Sequence, residues 1–109
     1  IVKYVNSKQS KHTYNNAVKG TKSTMDTRLY NAIVNKQVPP IIGVQMRTSQ
    51  SWYYDTDGHF LTINGLMSDS SEYRVVDSYG GIKGTPKFYQ VPSNRVYNGY
   101  NAKNIGIGY

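Results

Sequence analysis

His59 opens one apolar segment and Asp77 closes the next. An imidazole beside a carboxylate is the base-and-orienter half of a nucleophilic triad. The first segment is Gly58-His59-Phe60-Leu61-Thr62-Ile63-Asn64-Gly65 and the second is Tyr73-Arg74-Val75-Val76-Asp77-Ser78. Both are rich in β-branched and aromatic residues and read as strands. Met67-Ser68-Asp69-Ser70-Ser71, between them, is a polar turn cluster. An antiparallel hairpin folded about Ser68 or Asp69 sets His59 opposite Asp77, where facing Cβ atoms are about 5 Å apart. The third member of a triad is a thiol or hydroxyl, and the chain has no cysteine. The bland alternatives are a half-buried structural histidine and an aspartate that caps the Gly80-Gly81 loop. His12, in a polar basic stretch, reads as a solvated surface group.

Other residues near this pair carry weaker signals. Trp52, Tyr53 and Tyr54 precede Gly58-His59 and read either as the wall of a substrate groove or as aromatic anchors of a loop. Asp55-Thr56-Asp57-Gly58 is a fragment of a calcium-loop pattern, but Leu66 stands where the bidentate Glu belongs, so no metal site is expected. Gly80, Gly81 and Gly84 lack the spacing and the Lys-Ser/Thr ending of a phosphate loop. No cofactor is expected.

The elements that must position the pair are legible in outline. Residues 1–22 are polar and basic and read as an extended segment or short strand, then irregular chain. Ser23-Thr24-Met25-Asp26 has the form of a capping box. Met25, Leu29, Ala32 and Ile33 form a one-face helical stripe, which belongs to a core. Pro39 and Pro40 end that helix near Lys36. Pro40-Ile41-Ile42-Gly43-Val44-Gln45-Met46 reads as a central strand, residues 49–58 and 80–86 as loops, and 87–91 as a short strand. Ser93 caps a brief helical turn through Tyr97, and 104–109 reads as a terminal strand. The fold class is α+β: one N-terminal helix packed on a mostly antiparallel sheet, in a single domain over 1–109.

Composition narrows the setting. At 109 residues the chain has room for one small core. Eleven tyrosines make up for a modest aliphatic content, each adding an apolar body with a polar tip. Without cysteine there are no disulfides, thiolate zinc sites or thiol nucleophile within the chain. The net charge of +7 favours an anionic partner, such as an acidic cell-wall polymer, a nucleic acid or a membrane surface. The charge is dispersed, which weakens the nucleic-acid reading. No apolar stretch approaches the ~18 residues of a membrane span. Only 17% of residues are charged while Asn, Ser, Thr and Tyr abound, a surface that suggests a secreted or cell-surface bacterial protein. The Ile start and the absence of a signal peptide suggest a processed chain.

The order of these motifs resembles the C-terminal half of papain-like cysteine peptidases, in particular the bacterial double-glycine leader peptidases and their relatives. The matching residues are Pro40 to Val44, Gly58-His59-Phe60, Ile63-Asn64-Gly65 and Val76-Asp77-Ser78, within 24–91. The resemblance implies the β-rich lobe of a papain-like fold, with His59 as general base and Asp77 as the acid that orients it. It implies a peptide substrate; on the residues' own reading, Trp52, Tyr53, Tyr54 and Gly58 are the candidate substrate-binding residues. The nucleophilic Cys and oxyanion-hole Gln of that family lie before the point where this chain begins, and Gln45 and Gln50 come too late for the Gln role. The expected partner is therefore a Cys-bearing N-terminal fragment or second chain, and an apolar face should be left bare where that partner sits. Two other functions fit the sequence: an inert papain-like module binding peptide or anionic polymer, and a basic β domain stacking nucleic-acid bases on tyrosines.

Overall fold

A computed structural model describes residues 2–82 and 84–109; the expectations that touch Ile1 and Lys83 lie outside the described residues. The chain runs α1 (Val2–Lys8), β1 (Asn16–Ala17), α2 (Lys22–Tyr30), a π-helical turn (Asn31–Asn35), β2 (Ile41–Met46), β3 (Thr56–Leu66), β4 (Glu72–Val76), β5 (Phe88–Pro92), α3 (Ser93–Ala102) and β6 (Ile107–Gly108). The strands form one sheet in the order β1-β6-β2-β3-β4-β5, and every pairing is antiparallel. The α+β class expected from the sequence is the class observed.

Alternation along the central strands decides which face is buried. Ile42, Val44 and Met46 of β2, Leu61 and Ile63 of β3, Tyr73 and Val75 of β4 and Val91 of β5 point to one face. Met25 and Leu29 of α2 and Val96 and Tyr100 of α3 close over it. The close approach of α3 depends on Gly99. A Cβ there would stand 2.7 Å from the Gln45 carbonyl and 3.0 Å from Val44 Cβ. That contact offsets the roughly 1 kcal/mol a helical glycine costs. On the opposite face Ile105 fills the space over Gly43 and Gly58, where added Cβ atoms would lie 2.1 and 2.9 Å from its side chain. Beyond it Phe60 and Phe88 are 40% and 52% exposed, the closest counterpart of the bare face expected above.

Several local expectations need correction. The segment 1–22 contains a helix, α1, where an extended chain was expected. None of its residues is fully buried, so it left no apolar stripe to read. Asn6 instead fastens it through hydrogen bonds to the Tyr14 N–H (2.7 Å) and carbonyl (3.1 Å). The cap of α2 is Thr21, whose Oγ1 accepts from the Thr24 N–H at 3.1 Å, and not Ser23. The helix turns π-helical from Asn31. The turn expected at Ser93 is a full helix to Ala102, longer because Val96 and Tyr100 are buried against the sheet.

Candidate functional site

The pair singled out in the sequence is brought together, by a different register from the one expected. Thr62 faces Val76 and Leu66 faces Tyr73, with a shift between Ile63 and Gly65. Asp77, just past the end of β4, is therefore level with Leu61, two residues from His59 on the same face. Long side chains bridge such a diagonal. His59 Nε2 lies 2.8 Å from Asp77 Oδ1. A second irregularity helps: Val44 faces His59 while Met46 faces Thr56, so β3 carries an extra residue immediately before the histidine. A bulge of this kind bends a strand and re-aims the side chain beside it.

Asp77 is buried at 1% exposure, yet its carboxylate is fully furnished with donors. Tyr89 Oη donates to Oδ2 at 2.7 Å. Tyr54 Oη lies 2.9 Å from both oxygens and places its one proton between them. The Tyr79 N–H donates to Oδ1 at 3.0 Å, and the Gly80 N–H to the Asp77 carbonyl at 2.9 Å. Asp77 thus starts the turn after β4 and also hydrogen-bonds to His59 Nε2. Burial alone would push the Asp77 carboxyl up. The bonds from Tyr89, Tyr79, His59 and Tyr54 outweigh it and hold the group below the ordinary carboxylate value. Burial pushes the Tyr89 and Tyr54 hydroxyls well up, and the bond to Asp77 and its charge push them further. Both phenols stay protonated and act as donors.

The protonation of this set follows. An ionised carboxylate has no proton to give, so His59 Nε2 carries the hydrogen it shares with Asp77. The neutral imidazole then keeps its lone pair on Nδ1. Among the described residues nothing hydrogen-bonds to Nδ1, and it is not one of the buried polar atoms without a partner. It therefore reaches solvent, as the 21% exposure of the side chain allows. An oriented imidazole with an accessible lone pair can accept a proton from a nucleophile placed beside it.

The aromatic residues expected near the substrate separate. Trp52 is a core residue at 4% exposure. Tyr54 is committed to Asp77, with its ring edge-on to His59 at 5.9 Å between centroids. Tyr53 is half exposed and meets Tyr89 edge-on at 4.8 Å. Gly58 is exposed beside His59, with Ile105 behind it. The acids of the calcium-like fragment serve the β2–β3 connection: Asp57 pairs with Arg47, and Asp55 accepts the Thr48 N–H at 2.7 Å. Among the described residues no cluster of His, Cys, Asp and Glu could hold a metal ion. His12 is not the solvated group expected. Gln9 clamps its backbone, its ring packs edge-on to Tyr14 at 4.7 Å, and its Nε2 is buried without a partner.

Tyr89 and Tyr79 were missed by the sequence reading. The signal for Tyr89 was present: strand parity sets residues 73, 75 and 77 on one face and, with β5 alongside β4, residues 89 and 91 on that face too. Nothing in the sequence marked the Tyr79 N–H. Comparison of the chain with protein-family models, with curated protein sequences and with solved structures finds no match in any of the three.

Proposed function

We propose that this chain supplies the general base and the orienting acid of a papain-like cysteine peptidase, completed by a Cys-bearing polypeptide. The observation that carries the reading is the 2.8 Å contact between His59 Nε2 and a buried, ionised Asp77, with Nδ1 left accessible. In the proposed reaction Nδ1 takes the thiol proton and the thiolate attacks the scissile carbonyl. The imidazolium then returns a proton to the leaving amine. Asp77 stabilises the imidazolium while it lasts. Water hydrolyses the thioester in the second half. The chain alone has no nucleophile for this route.

The test is native mass spectrometry of the protein isolated from its source, followed by peptide hydrolysis with the isolated species. A companion chain carrying a cysteine, with turnover lost in His59→Ala, is the expected result. The bare 12.3 kDa species, or turnover unchanged in His59→Ala, overturns it. Peptide or anionic-polymer binding that survives His59→Ala would transfer the assignment to an inert binding module. The nucleic-acid reading draws less support: no two of the exposed tyrosines Tyr4, Tyr30 and Tyr53 are paired among the described aromatic contacts.

A further inference from the structure

We infer that Tyr89 and Tyr54 are positioning residues: they lock the Asp77 carboxylate in one orientation and so fix the tautomer of His59, with the free lone pair on Nδ1. The catalytic meaning of this rests on His59 being a general base; the positioning itself does not.

The carboxylate is held from four places. His59 Nε2 reaches it from β3 at 2.8 Å, Tyr89 Oη from β5 at 2.7 Å, and the Tyr79 N–H from the turn at 3.0 Å. Tyr54 Oη, from the chain before β3, sits 2.9 Å from both oxygens. A carboxylate with donors on one oxygen can swing about its broad terminal torsion; donors on both oxygens stop it. A turn-starting aspartate needs only the backbone N–H. Two phenols go beyond that need.

The phenols are themselves held. The Tyr54 ring packs against Tyr79 at 4.7 Å and edge-on to His59, and the Tyr89 ring meets Tyr53 edge-on at 4.8 Å. Among the described residues no Lys or Arg pairs with Asp77; its one basic partner is His59. Neutral donors keep the acid ionised without a cation that would compete with the imidazolium for its charge.

The chain by itself suffices for the test. Nitrogen-15 shifts of the neutral His59 ring report its tautomer, and the carbon-13 shift of the Asp77 carboxyl reports its titration. The variants are Tyr89→Phe and the double Tyr54→Phe/Tyr89→Phe. Tyr53→Phe is the control, since its hydroxyl takes no part. The expected result is a single tautomer with the proton on Nε2 in the parent chain, mixing in Tyr89→Phe and mixing more in the double variant. The Asp77 titration should move up with loss of the Tyr89 bond, and Tyr53→Phe should leave both readouts in place. A folded Tyr89→Phe chain with tautomer and titration unmoved overturns the inference. That variant keeps its ring and its packing, so it carries the test alone should the double variant not fold. Both readouts come from the isolated chain, so loss of the peptidase assignment would leave a positive result intact.

Discussion

Asp26 and Asp77 each accept the hydroxyl of a tyrosine that the sheet holds on its core side, Tyr73 in β4 and Tyr89 in β5. The two clusters are built alike and finished differently. Asp26 stands on α2, 18% exposed at its side chain, with Lys22 2.7 Å away on the preceding turn. Asp77 has no exposure at its side chain, and its basic partner is a histidine with one nitrogen in reach of solvent. A lysine is a permanent cation at neutral pH, so the Asp26 cluster is electrically complete and has nothing left to exchange. The His59 ring keeps one nitrogen without a hydrogen bond among the described residues, so the Asp77 cluster has an open valence. The same tyrosine–carboxylate contact ties a helix to the sheet in one place and, under the proposed function, aims a base in the other.

The largest effects should separate the clusters by function. In the proposed two-chain enzyme, His59→Ala should lower turnover by on the order of 10⁴-fold or more, with a stability loss of about 1–2 kcal/mol from the donor that the buried Asp77 gives up. Asp77→Ala should reduce turnover by less, because the histidine keeps its position in the strand. It should also cost about 3 kcal/mol of stability, since Tyr54, Tyr89 and the Tyr79 N–H lose their acceptor. Steady-state kinetics with parallel urea unfolding measures both. A turnover loss in Asp77→Ala larger than in His59→Ala would break the division of roles.

Next in size is the matched pair of hydroxyl deletions. Tyr73→Phe should cost about 1–2 kcal/mol by leaving Asp26 a weaker set of partners, with no change in the His59 or Asp77 resonances. Thermal unfolding and the histidine spectra check it. If Tyr73→Phe shifted those resonances, the clusters would be coupled through β4 and the contrast between them would fail.

Acid should loosen the Asp77 cluster, and alkali should loosen both clusters. The Asp77 carboxyl is held below its ordinary value in the folded chain, so the stability it confers is complete above about pH 4 and is lost as pH falls through the folded value. The tyrosine hydroxyls behave in reverse. Burial first, and then a carboxylate, pushes Tyr73, Tyr89 and Tyr54 well up. The unfolded chain ionises its tyrosines near pH 10 while the folded chain keeps these three protonated, so stability should fall as pH rises above about 10. Urea midpoints across the two ranges, with tyrosinate absorbance on the alkaline side, measure this. A midpoint flat from pH 9 to 12 would show that the clusters do not hold their protons.

How much of this was legible depended on whether burial left a pattern in the chain. The β2 to β5 strands and the Met25-Leu29-Ala32 stripe declare themselves because their apolar residues recur at the period of the element. α1 has no such stripe; Asn6 fastens it to Tyr14, a contact eight residues on that no window of periodicity detects. α3 contains Asn94, Asn98 and Gly99, all poor helix formers, and exists because Val96 and Tyr100 pack on the sheet. His59 and Asp77 were legible as residue types on adjacent strands, but the bulges that set their diagonal were not. Tyr54 was marked by its place before His59, while Tyr89 required knowing that β5 lies beside β4. The distinction between the two aspartates was out of reach for the same reason: which acid meets a lysine and which a histidine is a property of the packed sheet.

The smallest expected effect tests the premise that Asp26 is a structural tie. Lys22→Ala removes an i,i+4 pair in the weaker orientation, with the cation preceding the acid. Lys22 also stands at the positive end of α2, where a cation is unfavourable. The two terms nearly cancel, so the change should be within about 0.5 kcal/mol, read as a shift in the urea midpoint. Tyr73 and the surrounding water are then enough for a carboxylate that keeps some exposure. A loss above about 2 kcal/mol would mean that Asp26 behaves as a buried charge in need of its cation. In that event the two clusters would differ only in which base balances the acid, and a histidine beside Asp77 would carry less weight as the mark of a site.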